Sequence, residues 1–168
     1  DSIIVVNPKN PSHPKNEYST GNGSNPQDME FKNSRKAYIS LYEENKLLVI
    51  NPVTGNIKKK IDLSEFADGD GLVEMSEMVL VKNYLYVSLQ RLNRDNFFSA
   101  DNKSFVVVID TDTDKILDLD PDTEGNQVIE LNGRNPGYMA YNKETGKIYF
   151  SLSANYNTKD NYGGIEVI

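Results

Sequence analysis

The chain has 168 residues, with 25 acidic against 18 basic side chains, a formal net charge of −7, one histidine, no cysteine and no tryptophan. That composition excludes disulfides, thiolate metal sites, iron–sulfur clusters, c-type haem and thiol nucleophiles, and His13 alone cannot build a multi-histidine metal centre. The length suits one domain, residues 1–168, and the acidic balance argues against nucleic acid as the main partner.

The first predicted element is a strand at Ile3-Ile4-Val5-Val6-Asn7, followed by a polar stretch from Lys9 to Pro26 that reads as a long loop. Gly23-Ser-Asn25-Pro26-Gln-Asp-Met29 leads out of it into a strand, since proline costs a sheet least at a strand's head, and the methionine is expected in the core. Ala37-Tyr38-Ile39-Ser40-Leu41 and Leu47-Leu48-Val49-Ile50 read as central strands, apolar on both faces. Asn51-Pro-Val-Thr-Gly55 reads as a type I turn ending in a left-handed residue, a conformation glycine adopts without steric cost. Ile57 to Leu63 follows as an outer strand, with Lys58, Lys59 and Lys60 on a solvated face.

The same series then returns twice. After a loop from Ser64 to Met75 come Glu74-Met75-Ser-Glu-Met78, Leu85-Tyr86-Val87-Ser88-Leu89, a loop from Gln90 to Ser104, Val106 to Ile109, and the turn Asp110-Thr-Asp-Thr-Asp114. After a loop from Asp120 to Pro136 come Gly133-Arg-Asn135-Pro136-Gly-Tyr-Met139, the turn Asn142-Lys-Glu-Thr-Gly146, and Ile148-Tyr149-Phe150-Ser151-Leu152. A loop from Ser153 to Gly164 leads to Ile165-Glu166-Val167-Ile168. Val6, Ile50, Ile109 and Ile168 end equivalent strands, at spacings of 44, 59 and 59 residues. Four short antiparallel strands in each unit of that length is the period of a β-propeller blade, so the expected fold is all-β, with about three blades. No apolar run exceeds five residues, so no segment is long enough to span a bilayer as a helix.

Tyr38-Ile39-Ser40-Leu41, Tyr86-Val87-Ser88-Leu89, Tyr149-Phe150-Ser151-Leu152 and Val108-Ile109-Asp110-Thr111-Asp112-Thr113 together resemble the YVTN-repeat β-propellers. In that family the second strand carries Tyr-Val-Thr-Asn and a Val-Ile-Asp-Thr-x-Thr turn follows the third; here Thr-Asn has become Ser-Leu in every copy. The resemblance implies a toroid of usually seven blades, commonly secreted, periplasmic or attached to a cell surface, and acting most often as a binding or scaffold module. Some relatives with this blade plan are lactonases or quinoproteins, the latter using a tryptophan-derived quinone that this composition does not supply. A closed ring needs about four to eight blades, so the expectation is an open portion of a larger, seven-bladed propeller; the alternative is a half-propeller that self-associates with a second copy.

In a propeller the loops between strands 2 and 3, and between strand 4 and the next strand 1, share one face. The long loops fall there, and loops on a rigid scaffold are where binding groups vary freely. Arg91, Arg94 and Arg134, with Asn135 beside the last, are therefore the candidate ligand-binding residues, since arginine captures carboxylates or phosphates in bidentate fashion. Ion pairing between the loops is the competing structural reading. Phe97-Phe98 either covers a core edge or meets a partner. Asp68, Asp70 and Glu74 form a candidate calcium site of irregular type, because neither acidic string places the glycine and glutamate an EF-hand loop requires. No other cofactor is indicated, and neither a nucleophile with its base and acid nor a phosphate-binding glycine loop is visible. The function expected is a non-catalytic binding or scaffold module, with a protein, glycan or small anion on the long-loop face. The alternatives are a metal-assisted, lactonase-like hydrolase and a structural subunit of a surface assembly.

Overall fold

The three Tyr-apolar-Ser-Leu segments form second strands of three antiparallel sheets in the computed structural model, which describes residues 1–155 and 161–168. The first of these sheets is β3 (Pro26–Asn33), β4 (Lys36–Leu41), β5 (Lys46–Ile50) and β6 (Ile57–Asp62), in that order. The second is β7 (Met75–Val81), β8 (Tyr84–Leu89) and β9 (Phe105–Asp110), with a fourth strand in two pieces: β10 (Lys115–Ile116) and β11 (Ile129–Glu130) pair with opposite ends of β9. The third is β12 (Pro136–Asn142), β13 (Lys147–Leu152) and β14 (Gly164–Val167). Ahead of them, β1 (Ser2–Asn7) and β2 (Asn10–Ser19) form a hairpin. β7 packs between β3 and β12, so the first strands of successive blades stand side by side. Among the described residues no helix is long and apolar enough to cross a membrane.

The repeated serine has a physical role. Each first strand carries a bulge, at Pro26/Asp28, Met75/Met78 and Pro136/Met139, which removes a main-chain group from the ladder. Ser40 Oγ accepts the Asp28 amide hydrogen (3.0 Å), Ser151 Oγ accepts that of Tyr138 (2.9 Å), and Ser88 Oγ donates to the Glu77 carbonyl (2.9 Å). A buried backbone group without a partner would be costly, and the hydroxyl supplies one. The turn chemistry is equally local: Gly55, Asp114 and Gly146 all have left-handed backbone (φ 73°, 54° and 71°), and each amide returns to the carbonyl four residues back.

Apolar cores lie between adjacent blades. Tyr38, Ile39, Leu48 and Ile50 pack with Met75, Val87, Val107 and Ile109, and a second cluster joins Val106 and Leu131 to Ile148 and Phe150. Met75 and Met78 are buried in the first cluster, and Met29 and Met139 pack half-buried against the cores. Tyr38 ties the first blade to the second: its buried hydroxyl donates to the Asp114 carboxylate (2.5 Å), which Lys36 also meets (2.7 Å). Burial, then the hydrogen bond to Asp114, hold the Tyr38 phenol well above its ordinary pKa.

Two features differ from the sequence expectation. Residues 10–19, read as part of a loop, are a strand paired from Ser2↔Ser19 to Asn7↔Asn10. Nearly all of that strand is exposed on both faces, so it carries no apolar alternation, and an outer strand tolerates Pro11 and Pro14. Finally, the stretch from Asp120 to Pro136, read as loop, contains β11. Of the loop from Ser153 to Gly164, residues 156–160 lie outside the described residues.

Tyr38→Phe is expected to lower stability by about 1–2 kcal/mol, read as a lower urea midpoint at unchanged slope, through loss of one buried hydrogen bond between blades. Tyr138→Phe, on a ring that is 74% exposed, should leave the midpoint unchanged.

Candidate functional site

The residue that starts each blade sits in left-handed backbone: Asn25 (φ 48°), Glu74 (φ 44°) and Asn135 (φ 55°). Each accepts, through its carbonyl, an amide just past the Tyr-apolar-Ser-Leu strand: Tyr42 (2.9 Å), Gln90 (3.1 Å) and Ser153 (3.0 Å). Asparagine tolerates this conformation better than most residues, which explains the first and third blades. Asn135 is buried and donates from Nδ2 to the Ala154 carbonyl (3.1 Å). The middle blade departs from the pattern by placing a glutamate there.

The Glu74 side chain has no solvent exposure. Its Oε2 accepts the Leu92 amide hydrogen (3.1 Å) and its Oε1 accepts from Arg94 Nε (2.6 Å). Arg94 also donates from Nη1 to Glu43 (2.6 Å) on the β4–β5 loop, and its main-chain amide donates to Asp70 (3.1 Å). One arginine thus joins loops 42–45, 63–74 and 90–104. Its guanidinium lies near the rings of Tyr42 (5.4 Å) and Phe98 (5.3 Å). Burial raises the Glu74 pKa, and Arg94 only partly opposes it. Burial acts to lower the Arg94 pKa, but the bonds to Glu43 and Glu74 outweigh it and hold that pKa above its ordinary value. Arg94 Nη2 is buried without a partner among the described residues.

Beside this bridge opens a cleft of about 250 Å³, lined by Asp68, Gly69, Asp70, Asn93, Asp95 and Asn102. Asp68 accepts from the Asp70 amide (3.2 Å) and from Asn102 Nδ2 (2.6 Å), and Asp70 accepts from the Leu72 amide (3.0 Å). Burial raises Asp68, whereas the amides of Arg94 and Leu72 overcome the burial of Asp70 and lower it. Arg91 stacks on Phe105 (3.9 Å) and donates from Nη1 to the Lys103 carbonyl (2.8 Å), and burial lowers its pKa.

The structure therefore brings Asp68, Asp70, Glu74, Arg91 and Arg94 into one neighbourhood and fuses what the sequence offered as separate cation and anion sites. Among the described residues, no three His, Cys, Asp or Glu side chains are grouped to hold a metal ion. Arg134 and Asn135 lie apart, at the junction of the second and third blades, where Arg134 stacks on Tyr162 (3.8 Å) and donates to the Ala100 carbonyl (2.8 Å). Sequence reasoning missed Glu43, Asn93, Asp95 and Asn102. Glu43 had a signal: it occupies the place that Arg91 and Ala154 hold in the other blades, each amide bonding to the residue before the left-handed one. Phe97 and Phe98 do not cover a core edge, being 94% and 51% exposed.

Arg94→Ala should lose about 3 kcal/mol near neutral pH, because it strands a buried carboxylate. The sign with pH follows from the raised Glu74 pKa: the folded protein holds that proton more tightly than the unfolded chain, so stability falls as pH rises through the folded-state value. Removing Arg94 raises that value further. Urea melts at about pH 5 and about pH 8 should show the deficit smaller at the acid end; a deficit independent of pH would contradict an ionised Glu74 as its cause.

No family model and no curated protein matches the sequence. In fold, the whole chain superposes on 45% of a hydrazine synthase chain of Kuenenia stuttgartiensis, with a TM-score of 0.63 and 16% identity. It likewise superposes on 47% of the periplasmic gluconolactonase PpgL of Pseudomonas aeruginosa, with a TM-score of 0.60 and 19% identity. The chain thus spans less than half the length of each. Both are β-propeller-type folds, and at such identities the likeness concerns the fold alone. With its antiparallel sheets in blade order, the chain has an all-β, β-propeller-type fold.

Proposed function

We propose that this chain is a non-catalytic β-propeller binding module that engages a polypeptide partner on the long-loop face, with a basic side chain of the partner entering the cleft. The observation that supports this most is the arrangement of charge. Arg91, Arg94 and Arg134 are turned onto carboxylates, carbonyls and rings, while Asp68, Asp70, Asp95, Asn93 and Asn102 line the opening. A cleft rich in acceptors suits a cationic donor, because charge-assisted hydrogen bonds are about twice as strong as neutral ones. The hydroxyls of a glycan would leave the carboxylate charge uncompensated, and a small anion would meet it directly. The net charge of −7 also steers basic partners toward the protein. A setting outside the cytosol, as the YVTN resemblance implies, belongs to the same proposal.

A hydrolytic reading rests on one feature of its own, the two carboxylates Asp68 and Asp70 that line one cleft, the residue types an acid and base pair requires. Turnover of a lactone that disappears in Asp68→Asn would favour it over the binding module.

An acetylated hexalysine peptide serves as the probe of the cleft. Asp95→Lys should weaken its binding about tenfold at low salt, while the charge-matched Glu144→Lys on the turn face should change it little. Asp95 is exposed and lies at the cleft, so folding should survive the substitution. Equal weakening by both variants would reduce the effect to net charge and overturn the assignment of the cleft.

A further inference from the structure

The tip of the loop from Gln90 to Ser104 combines two properties that the fold does not need. Phe97 and Phe98 both sit in left-handed backbone, at φ 55° and 57°. For a bulky residue that conformation is a true outlier, and two in succession are rarer still. The Phe97 ring is 94% exposed, so its strain is offset by no burial in the free protein. Strain of this kind persists only where the surroundings impose it, and it concentrates at ligand clamps and contact sites.

The surroundings do impose it. Asp101 Oδ2 accepts from Asn93 Nδ2 (3.2 Å), Asn96 Nδ2 (3.0 Å) and Ser99 Oγ (2.5 Å), gathering the loop onto one carboxylate. Asn93 Oδ1 caps the 3-10 turn at Arg94–Asn96 through the Asn96 amide (3.2 Å), and the Asn93 amide bonds to the Ser99 carbonyl (2.9 Å). Buried Leu92 and Ala100 fix the two ends. Arg94, between them, is clamped by Glu74 and Glu43. The aromatic pair is therefore presented on a frame that loses little freedom on binding.

We infer that the Phe97–Phe98 tip is the anchor of the binding face, and that its partner is a polypeptide surface with an apolar centre rimmed by lysine or arginine. This rests on the reading of the long-loop face given above. An exposed, rigid aromatic supplies the central contact that dominates such interfaces. Charge complementarity supplies the rim: Arg94 is committed inward, whereas Asp95 on the tip and Asp68 and Asp70 in the adjoining cleft leave the tip bordered by carboxylates. Those carboxylates disfavour an anionic membrane surface and an equally acidic second copy.

The test uses three probes: an 18-residue amphipathic helix of leucine and lysine, its leucine–glutamate counterpart, and phosphatidylcholine vesicles. The lysine helix should bind, and Phe97→Asn should weaken it about tenfold or more, since asparagine accepts the left-handed backbone but offers no ring. The glutamate helix and the vesicles should not bind. Phe97→Asn should also raise the thermal midpoint by about 2–4 °C, by relieving strain. A lowered midpoint would make Phe97 a stabilising residue and overturn the inference. So would Phe97-dependent vesicle binding or self-association. If Asp95→Lys weakens the lysine helix and Phe97→Asn does not, the binding face stands and the anchor falls; if neither does, both fall.

Discussion

The Glu74 carboxylate has no access to solvent, and a charge in that position has to be paired and hydrogen-bonded or it unfolds its surroundings. Its partners are a main-chain amide two residues before Arg94 and the Arg94 guanidinium itself, so the carboxylate organises the segment that carries its own counter-charge. The equivalent Asn135 needs only a carbonyl, and the stretch 153–163 after β13 contains no arginine. Placing glutamate in one blade thus obliges a longer loop to fold back over it. That loop brings Asn93, Asp95 and Asn102 to the cleft and leaves Phe97 and Phe98 exposed to solvent. A pair of this kind is weak evidence for added stability, but it specifies one loop conformation among many.

The blades supply what the bridge cannot. Tyr38 reaching the next blade's turn, the serines filling the bulges and the apolar sheets of side chains between blades all hold the strands at fixed spacing. Loops that rise from such strands keep their positions, and a contact between Arg94 and Glu43, 51 residues apart in sequence, can form with short, well-aligned bonds. The Arg94 bridge and the loops it joins are therefore an elaboration of the middle blade, resting on its neighbours.

Much of the fold was legible because its signals are local. In the Tyr-apolar-Ser-Leu strands the serine satisfies the bulge and the leucine fills the core in every copy, and in the first copy Tyr38 also crosses to the neighbouring blade. The strand at residues 10–19 was hidden because an outer strand with both faces in water shows no apolar period. The Asn142 turn shares its chemistry with those at Asn51 and Asp110 yet joins first strand to second, because turn chemistry reports local backbone and not position in a blade. At the site, the sequence pointed to Arg91, Arg94, Asp68, Asp70 and Glu74 by residue type, but their pairing depends on which loops meet in space. The substitution of glutamate for the left-handed asparagine was visible in the aligned repeats; its burial and its need for Arg94 were not.

Hydrogen–deuterium exchange on Glu74→Asn tests the central claim most directly, because it gives the middle blade the residue its neighbours use. The account predicts that amides of β7, β8 and β9 keep their protection while those of Asn93 to Ser99 exchange markedly faster, the loop having lost the charge that folds it back. Unchanged protection across Asn93 to Ser99 would contradict the dependence of that loop on the buried ion pair.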